Sequence, residues 1–317
     1  MTGLRKPCAP IWRLSFEQTR TEPAGFDPGP PAQPGTSQRQ IFERTLAILC
    51  NRTFPLPAVP IGTCRSIRSQ GSPAVSSLGP SILPPDGDID LLGQTSNEVE
   101  NLVEIVREVC GQDVQEDGLL FDPATVTGER IKEDADYKGV RVRFSGLLGK
   151  ARVHLQIDVG FADVVSPAPM VKIYPVILPM PAPELRSYPP ETVVAEKAQA
   201  MVFLGSVNSR MKDFYDIWIL AGEFEFKGAE LQEAIRLTFK HRDTDIPSGE
   251  PVAFSTQFAQ DKRNQWRAFL KTSAIADAPD PFDIILMRLK EFIIPVFEST
   301  HTGQRFEKTW KGCGPWR

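Results

Sequence analysis

The stretch DIDLLG, Asp88 to Gly93, sets two carboxylates at alternate positions of a short apolar run. On a strand, residues i and i+2 share a side, so Asp88 and Asp90 project one way and Ile89 the other. Two anions this close repel, and apolar neighbours strengthen the repulsion. A divalent cation relieves it. Mg²⁺ takes hard oxygen ligands and often combines one or two carboxylates with substrate phosphates. A third carboxylate on a neighbouring strand would complete a clamp for two metals about 3.5–4 Å apart. RVHLQIDV (152–159) supplies one: Val153, Leu155, Ile157 and Val159 face one way, and His154, Gln156 and Asp158 the other. The bland readings are an acidic doublet of the kind common at strand ends, and a solvated strand residue at Asp158.

A second set of charges sits in helical sequence. SRMKDFYDIW spaces Arg210 and Asp213 as i, i+3 and Lys212 and Asp216 as i, i+4, neighbours on a helix surface. Exposed, such pairs contribute only about a few tenths of a kcal/mol each. Phe214, Tyr215, Ile217 and Trp218 make the helix apolar on most sides, so its charged strip is expected to face a cleft. Lys197 shares a stripe with Val193, Val194 and Met201; it reads equally as a snorkelling side chain and as a phosphate ligand. His154, His241 and His301 lie far apart, and no Ser or Cys nucleophile motif, GxGxxG or Walker loop is present.

The elements that must position these groups change character along the chain. Asp88–Leu92 reads as a strand. Thr95 with Glu98 predicts a capping box, followed by a helix with Val99, Leu102, Val103 and Val106 at helical spacing. LLFD (119–122), VRVRF (140–144) and 152–159 read as strands, the last two joined by a hairpin at LLGKA. YPVIL (174–178) reads as an edge strand. From Pro189 the period is helical: ETVVAEKAQAMVFL, stopped at Gly205; NSRMKDFYDIWILA, with Asn208 as N-cap and Gly222 as stop; then helices near 228–241, 256–271 and 281–297. The expected architecture is an α/β (α+β) mixed sheet over 87–180 followed by a mostly α-helical domain over 181–317.

The bulk numbers fit that picture. The chain has 317 residues, 41% hydrophobic and 24% charged, with net charge -4. Whole-chain charge gives no reason to expect nucleic-acid binding, although a local basic groove is compatible with it. The 5 cysteines are scattered without CxxC spacing, which argues against a zinc site and fits a reducing cytosol. No run reaches membrane-span length, and the N-terminus lacks the apolar core of a signal peptide. A cytoplasmic, membrane-free protein is expected.

Taken in order, DIDLLG, YKGVRVRF, LQIDVGFAD and VVAEKAQAMVFLGSVNSRMKDFYDIWIL resemble the AbiEii/AbiGii nucleotidyltransferases. These are abortive-infection (phage-defence) toxins of type IV toxin–antitoxin systems, within the DNA polymerase β-like superfamily. The likeness runs from about Gly87 to the C-terminus, including FKHRDTDIP (239–247) and the final GPWR. The resemblance implies that Asp88 and Asp90 are the metal-binding pair and Asp158 the third carboxylate. It implies that Lys197 lies near the triphosphate, and that Lys212, Asp213 and Asp216, with Arg210 beside them, form the family's acidic helical motif. It implies Mg²⁺ or Mn²⁺, a nucleoside triphosphate (NTP) substrate, an RNA or tRNA acceptor, and an antitoxin of AbiEi type encoded nearby. Two alternatives stay open: a non-catalytic relic that binds nucleotide or partner, and a small-molecule nucleotidyltransferase of the antibiotic-modifying kind, against which the AEK and KDFYDIW helices argue. The family often has Gly where Ala162 stands.

Residues 1–86 depart further. About half of the 29 prolines precede Gly87, and the Gly-rich strand-to-helix turn that would cradle a triphosphate is absent ahead of Asp88. RSIRSQG (65–71), with its codons advanced by one nucleotide, can read D-R-F-V-L-K-G, and SILPPDG can yield R-P-T just before Asp88. TFPLPAVP (53–60) and FDPGPPAQ (26–33) shift similarly. Residues 1–86 are therefore read as a largely irregular, out-of-frame segment whose loss of the turn impairs the enzyme.

Overall fold

The computed structural model describes residues 61–67, 88–112, 119–131, 139–173, 184–273, 275, 278–312 and 314–317. A seven-stranded sheet carries strands β1 (Ile61–Ile67), β2 (Asp88–Gly93), β3 (Leu119–Arg130), β4 (Val140–Leu148), β5 (Ala151–Phe161), β6 (Met170–Ile173) and β7 (Glu184–Ser187). Their spatial order is β3-β4-β5-β2-β1-β7-β6. β3, β4 and β5 form an antiparallel meander, β2 joins β5 in parallel, and β1 runs antiparallel to β2.

Sequence alternation decides which face of this sheet is dry. Ile89, Val140, Val142, Phe144, Leu155, Ile157 and Val159 are all buried, and they pack with Leu102, Val106 and Val109 of helix α1 (Val99–Cys110). One helix on one face leaves the alternate residues, Asp90, Arg141, Arg143, Gln156 and Asp158, on the opposite face. That division is the usual result of a two-residue period with one covered side.

The second core is helical. α2 (Pro190–Leu204), α3 (Met211–Glu223), α4 (Gly228–His241), α5 (Thr256–Asp261), α6 (Arg263–Thr272) and α7 (Phe282–Thr302) enclose it, with a short β8–β9 ribbon (Phe226–Lys227, Thr309–Trp310). Leu92 at the end of β2 belongs to this core, and Val165 packs on it, so the sheet and the helices share apolar contact. The final GPWR is part of it too. The Trp316 ring stacks on Phe292 and donates to its backbone carbonyl at 2.9 Å. Gly314 has φ +68, and a Cβ there would lie 2.4 Å from the Trp310 ring, so this position needs glycine twice over.

Local expectations differ from the structure at several ends. Within the segment expected to be irregular, Ile61–Ile67 forms β1 beside β2; the rest of 1–87 lies outside the described residues, as does the proposed strand 174–178. The Thr95/Glu98 capping box is not made: Glu98 is the N-cap without a side-chain cap bond, and Thr95 instead accepts from Asn101 at 3.3 Å. Asn208 sits ahead of the α3 N-cap, Arg210, and accepts from its N–H at 2.8 Å. α3 runs through Gly222, which has no left-handed φ to end it. Gly205, at φ 49, does end α2. The expected 256–271 helix breaks at Lys262; Ser255 caps the start of the first piece, accepting from the Phe258 N–H at 3.1 Å.

Candidate active site

β2 and β5 lie side by side in a register that pairs Asp88 with Gln156 and Asp90 with Asp158. Directly paired residues on neighbouring strands stand on the same face. On the far side of β5, Arg141 pairs with Asp158, and β3 brings Glu129 opposite Arg141. The result is a row, Glu129–Arg141–Asp158–Asp90, crossing four strands on the polar face. Asp90 and Asp158 are both buried. Arg141 donates from Nε to Asp158 Oδ1 at 2.8 Å and from Nη2 to Oδ2 at 2.7 Å. This is the two-pronged geometry that makes arginine–carboxylate pairs strong. In the next row, Arg143 donates to Gln156 Oε1 at 3.1 Å and to Glu129 Oε1 at 2.6 Å.

The donor set fits a divalent cation in kind. Two hard carboxylates stand on adjacent strands, Asp88 precedes Asp90 by one pleat, and a guanidinium already stands as the positive partner of Asp158. Among the described residues no three His, Cys, Asp or Glu side chains form a ready metal cage; the Asp88 side chain is not among those described. His154 is exposed and contacts Ser145 Oγ at 3.1 Å, at the far end of β5 from Asp158.

The helical charges assemble separately, between α2 and α3. Lys197 Nζ donates to Asp213 Oδ1 at 2.8 Å and lies 2.8 Å from Asp216 Oδ2. Lys212 donates to the same Asp216 oxygen at 2.9 Å, and Arg210 Nε lies 2.7 Å from Asp213 Oδ2. The pairs expected along α3 are present, but both aspartates are buried and turned to Lys197 across the helix interface. Burial alone would pull the Lys197 ammonium down; Asp213 and Asp216 outweigh it and raise its pKa above the ordinary value. Burial likewise pushes the Asp216 carboxyl up, and Lys197 with Lys212 override it, holding Asp216 below its ordinary range.

Residues 87–288 match the family model of the AbiEii nucleotidyl transferase toxin of type IV toxin–antitoxin systems. The chain belongs to the AbiEii family. It is thereby a nucleotidyltransferase of a toxin–antitoxin class, which implies an NTP substrate and an antitoxin partner in general terms. No curated protein matches. Among solved structures, JHP933 from Helicobacter pylori is 13% identical, with 86% of this chain and 94% of that chain covered at a TM-score of 0.44. A "putative nucleotidyltransferase" from H. pylori is also 13% identical, with 84% and 96% covered at 0.43.

Two features of this AbiEii chain escaped sequence reading. Arg141 and Arg143 alternate with Val140, Val142 and Phe144, and that alternation is the signal that both arginines share the carboxylate face. Which carboxylate they meet depends on register. The second is Arg242, whose guanidinium lies 3.6 Å from Asp163 and from Glu196 and donates to Gln199 at 3.1 Å. It ties the end of β5 to the stretch of α2 next to Lys197. Asp163 reaches that place because Ala162 adopts φ 66, a left-handed conformation that disfavours a Cβ. That conformation suits the glycine that the family resemblance leads one to expect at this position. Among the described residues no helix is long and apolar enough to cross a membrane.

Proposed function

We propose that the protein transfers a nucleoside monophosphate from an NTP to a hydroxyl of an RNA acceptor, such as a tRNA 3′ end. Pyrophosphate is released, and Mg²⁺ or Mn²⁺ would be held by Asp88, Asp90 and Asp158. The observation that supports this best is the direct pairing of Asp90 with Asp158 on adjacent parallel strands, both buried, in a chain of this family. The acceptor oxygen forms a bond to the α-phosphorus as the bond to the bridging oxygen of the departing diphosphate breaks. The hydroxyl proton passes to a carboxylate of the cluster. A bound divalent ion would supply charge neutralisation for both the attacking and the leaving oxygen. The protein's share is orientation: strands hold the two carboxylates at fixed spacing, and positioning dominates phosphoryl-transfer catalysis.

In this reading Arg210 and Lys212, half-exposed at the start of α3, offer positive charge to the triphosphate, while Asp213 and Asp216 fix Lys197. The missing Gly-rich turn ahead of Asp88 lowers NTP affinity, because sites of this kind depend on a preorganised shell. The partner is an antitoxin of AbiEi type encoded nearby, and the setting is the cytoplasm.

The test is incorporation of α-labelled NTP into RNA. Label appearing only with Mg²⁺ or Mn²⁺, and lost in Asp90→Ala, supports the proposal; repeating it with residues 26–87 restored to the shifted frame should raise NTP affinity. NTP binding without transfer in either chain would leave the non-catalytic reading, and label on an aminoglycoside instead of RNA would replace the acceptor.

A further inference from the structure

We infer that Arg141 is a tethered counter-cation that competes with the divalent metal for Asp158, so that this arginine sets the metal affinity of the site. The inference rests on the metal assignment proposed above and adds a positioning residue to it. Both oxygens of Asp158 lie in the guanidinium fork, at 2.8 and 2.7 Å. A metal ligand must offer an oxygen lone pair, and two of those on Asp158 are already engaged. The fork is held from the other side by the strand register: Arg141 is flanked on β3 by Glu129 and on β5 by Asp158 itself. The register keeps the arginine beside the carboxylate even when the fork opens.

The pair is also of a kind that can yield. The Arg141 side chain is 27% exposed against 8% for Asp158. The arginine can recover hydration when displaced, whereas the aspartate cannot. A carboxylate buried on the sheet keeps a positive partner at all times: Arg141 at rest, the metal when loaded. This avoids the cost of an uncompensated buried charge and makes metal entry an exchange of cations. The neighbouring Arg143 differs, being spent on Gln156 and on the exposed Glu129.

The experiment is a titration of the full-length protein with Mn²⁺ alone, followed by electron paramagnetic resonance. Arg141→Gln should bind Mn²⁺ about tenfold more tightly than wild type, equivalent to about 1.4 kcal/mol. Arg141→Lys, a cation without the fork, should fall between them. In an Asp158→Asn background the Arg141→Gln gain should vanish, a coupling that a purely structural arginine would not produce. Melting curves without metal identify any variant that fails to fold, in which case Arg141→Lys decides. Unchanged or weaker Mn²⁺ binding in folded Arg141→Gln overturns the inference while leaving the metal assignment standing. If neither protein binds Mn²⁺, or Asp90→Asn binds it as wild type does, the metal assignment falls and the inference with it.

Discussion

The polar face of the sheet and the α2–α3 interface both gather carboxylates and cations, but their balance differs. In the row Glu129–Arg141–Asp158–Asp90, Arg141 holds Asp158 and Arg143 reaches back to Glu129, with Asp88 one pleat away. Between the helices, Lys197, Lys212 and Arg210 meet two aspartates, and each aspartate contacts two cations. The helical cluster is neutralised from within and ties α2 to α3, with Arg210 and Lys212 at its more exposed edge. On the sheet the buried Asp90 and Asp158 stand in direct register on adjacent strands, the arrangement that a site for an added cation requires. Residue types alone would have made the two look alike.

The contrast can be broken most sharply at Lys197. Lys197→Met removes the cation shared by the two buried aspartates and leaves each with one more exposed partner, Arg210 or Lys212, and unfolding in guanidinium should show a loss of about 3 kcal/mol. Adding Asp213→Asn and Asp216→Asn should restore over half of it, because removing a whole buried network costs less than halving one. On the sheet, Asp158→Asn should cost only about 1 kcal/mol by the same measurement, since Arg141 stays partly hydrated, while transfer activity disappears. A loss as large as that of Lys197→Met would erase the distinction between tie and site.

The pH response sharpens the same comparison. Asp216, lowered from its ordinary 3.8, contributes stability that is present above that value and lost as pH falls through its folded pKa. Lys197, raised from 10.5, contributes stability that is complete below that value and lost as pH rises through its folded pKa. The tie is therefore intact across neutral pH, and melting temperature should be flat from about pH 5 to 9 apart from other groups. A Lys197→Met chain that keeps the wild-type acid limb would show that Asp216 is not held down by Lys197. The smallest effect is at the turn that follows β5: Ala162→Gly should add about 0.5–1 kcal/mol by relieving the left-handed φ, less the entropy glycine brings to the unfolded chain.

Much of this is legible in the chain, for identifiable reasons. The alternation in RVHLQIDV and VRVRF is enough to place Asp158 opposite the apolar face, and the Pro189–Pro190 start and Gly205 stop bound α2. The ends misread are those where capping residues are present but unused: Thr95 accepts from a side chain, Asn208 turns the chain two residues before the N-cap Arg210, and Gly222 sits inside α3. Capping types are shared by turns and loops, so the residue type does not specify the position. Lys197 stays ambiguous between solvent and phosphate in the sequence because its partners lie 16 and more residues away on another helix.

Local pattern is enough to say which side chains share a face, where the helices lie and which family the motifs resemble, because periods of two and of 3.6 and an ordered set of motifs are local in the chain. Packing between distant segments sets that Asp90 meets Asp158, that Arg141 grips both oxygens of that carboxylate, that Arg242 ties β5 to α2, and that β1 stands beside the carboxylate strand. Each of these depends on strand register or helix docking between distant segments. A slip of one residue would turn every side chain of a strand to the other face, and only the packed whole fixes that choice.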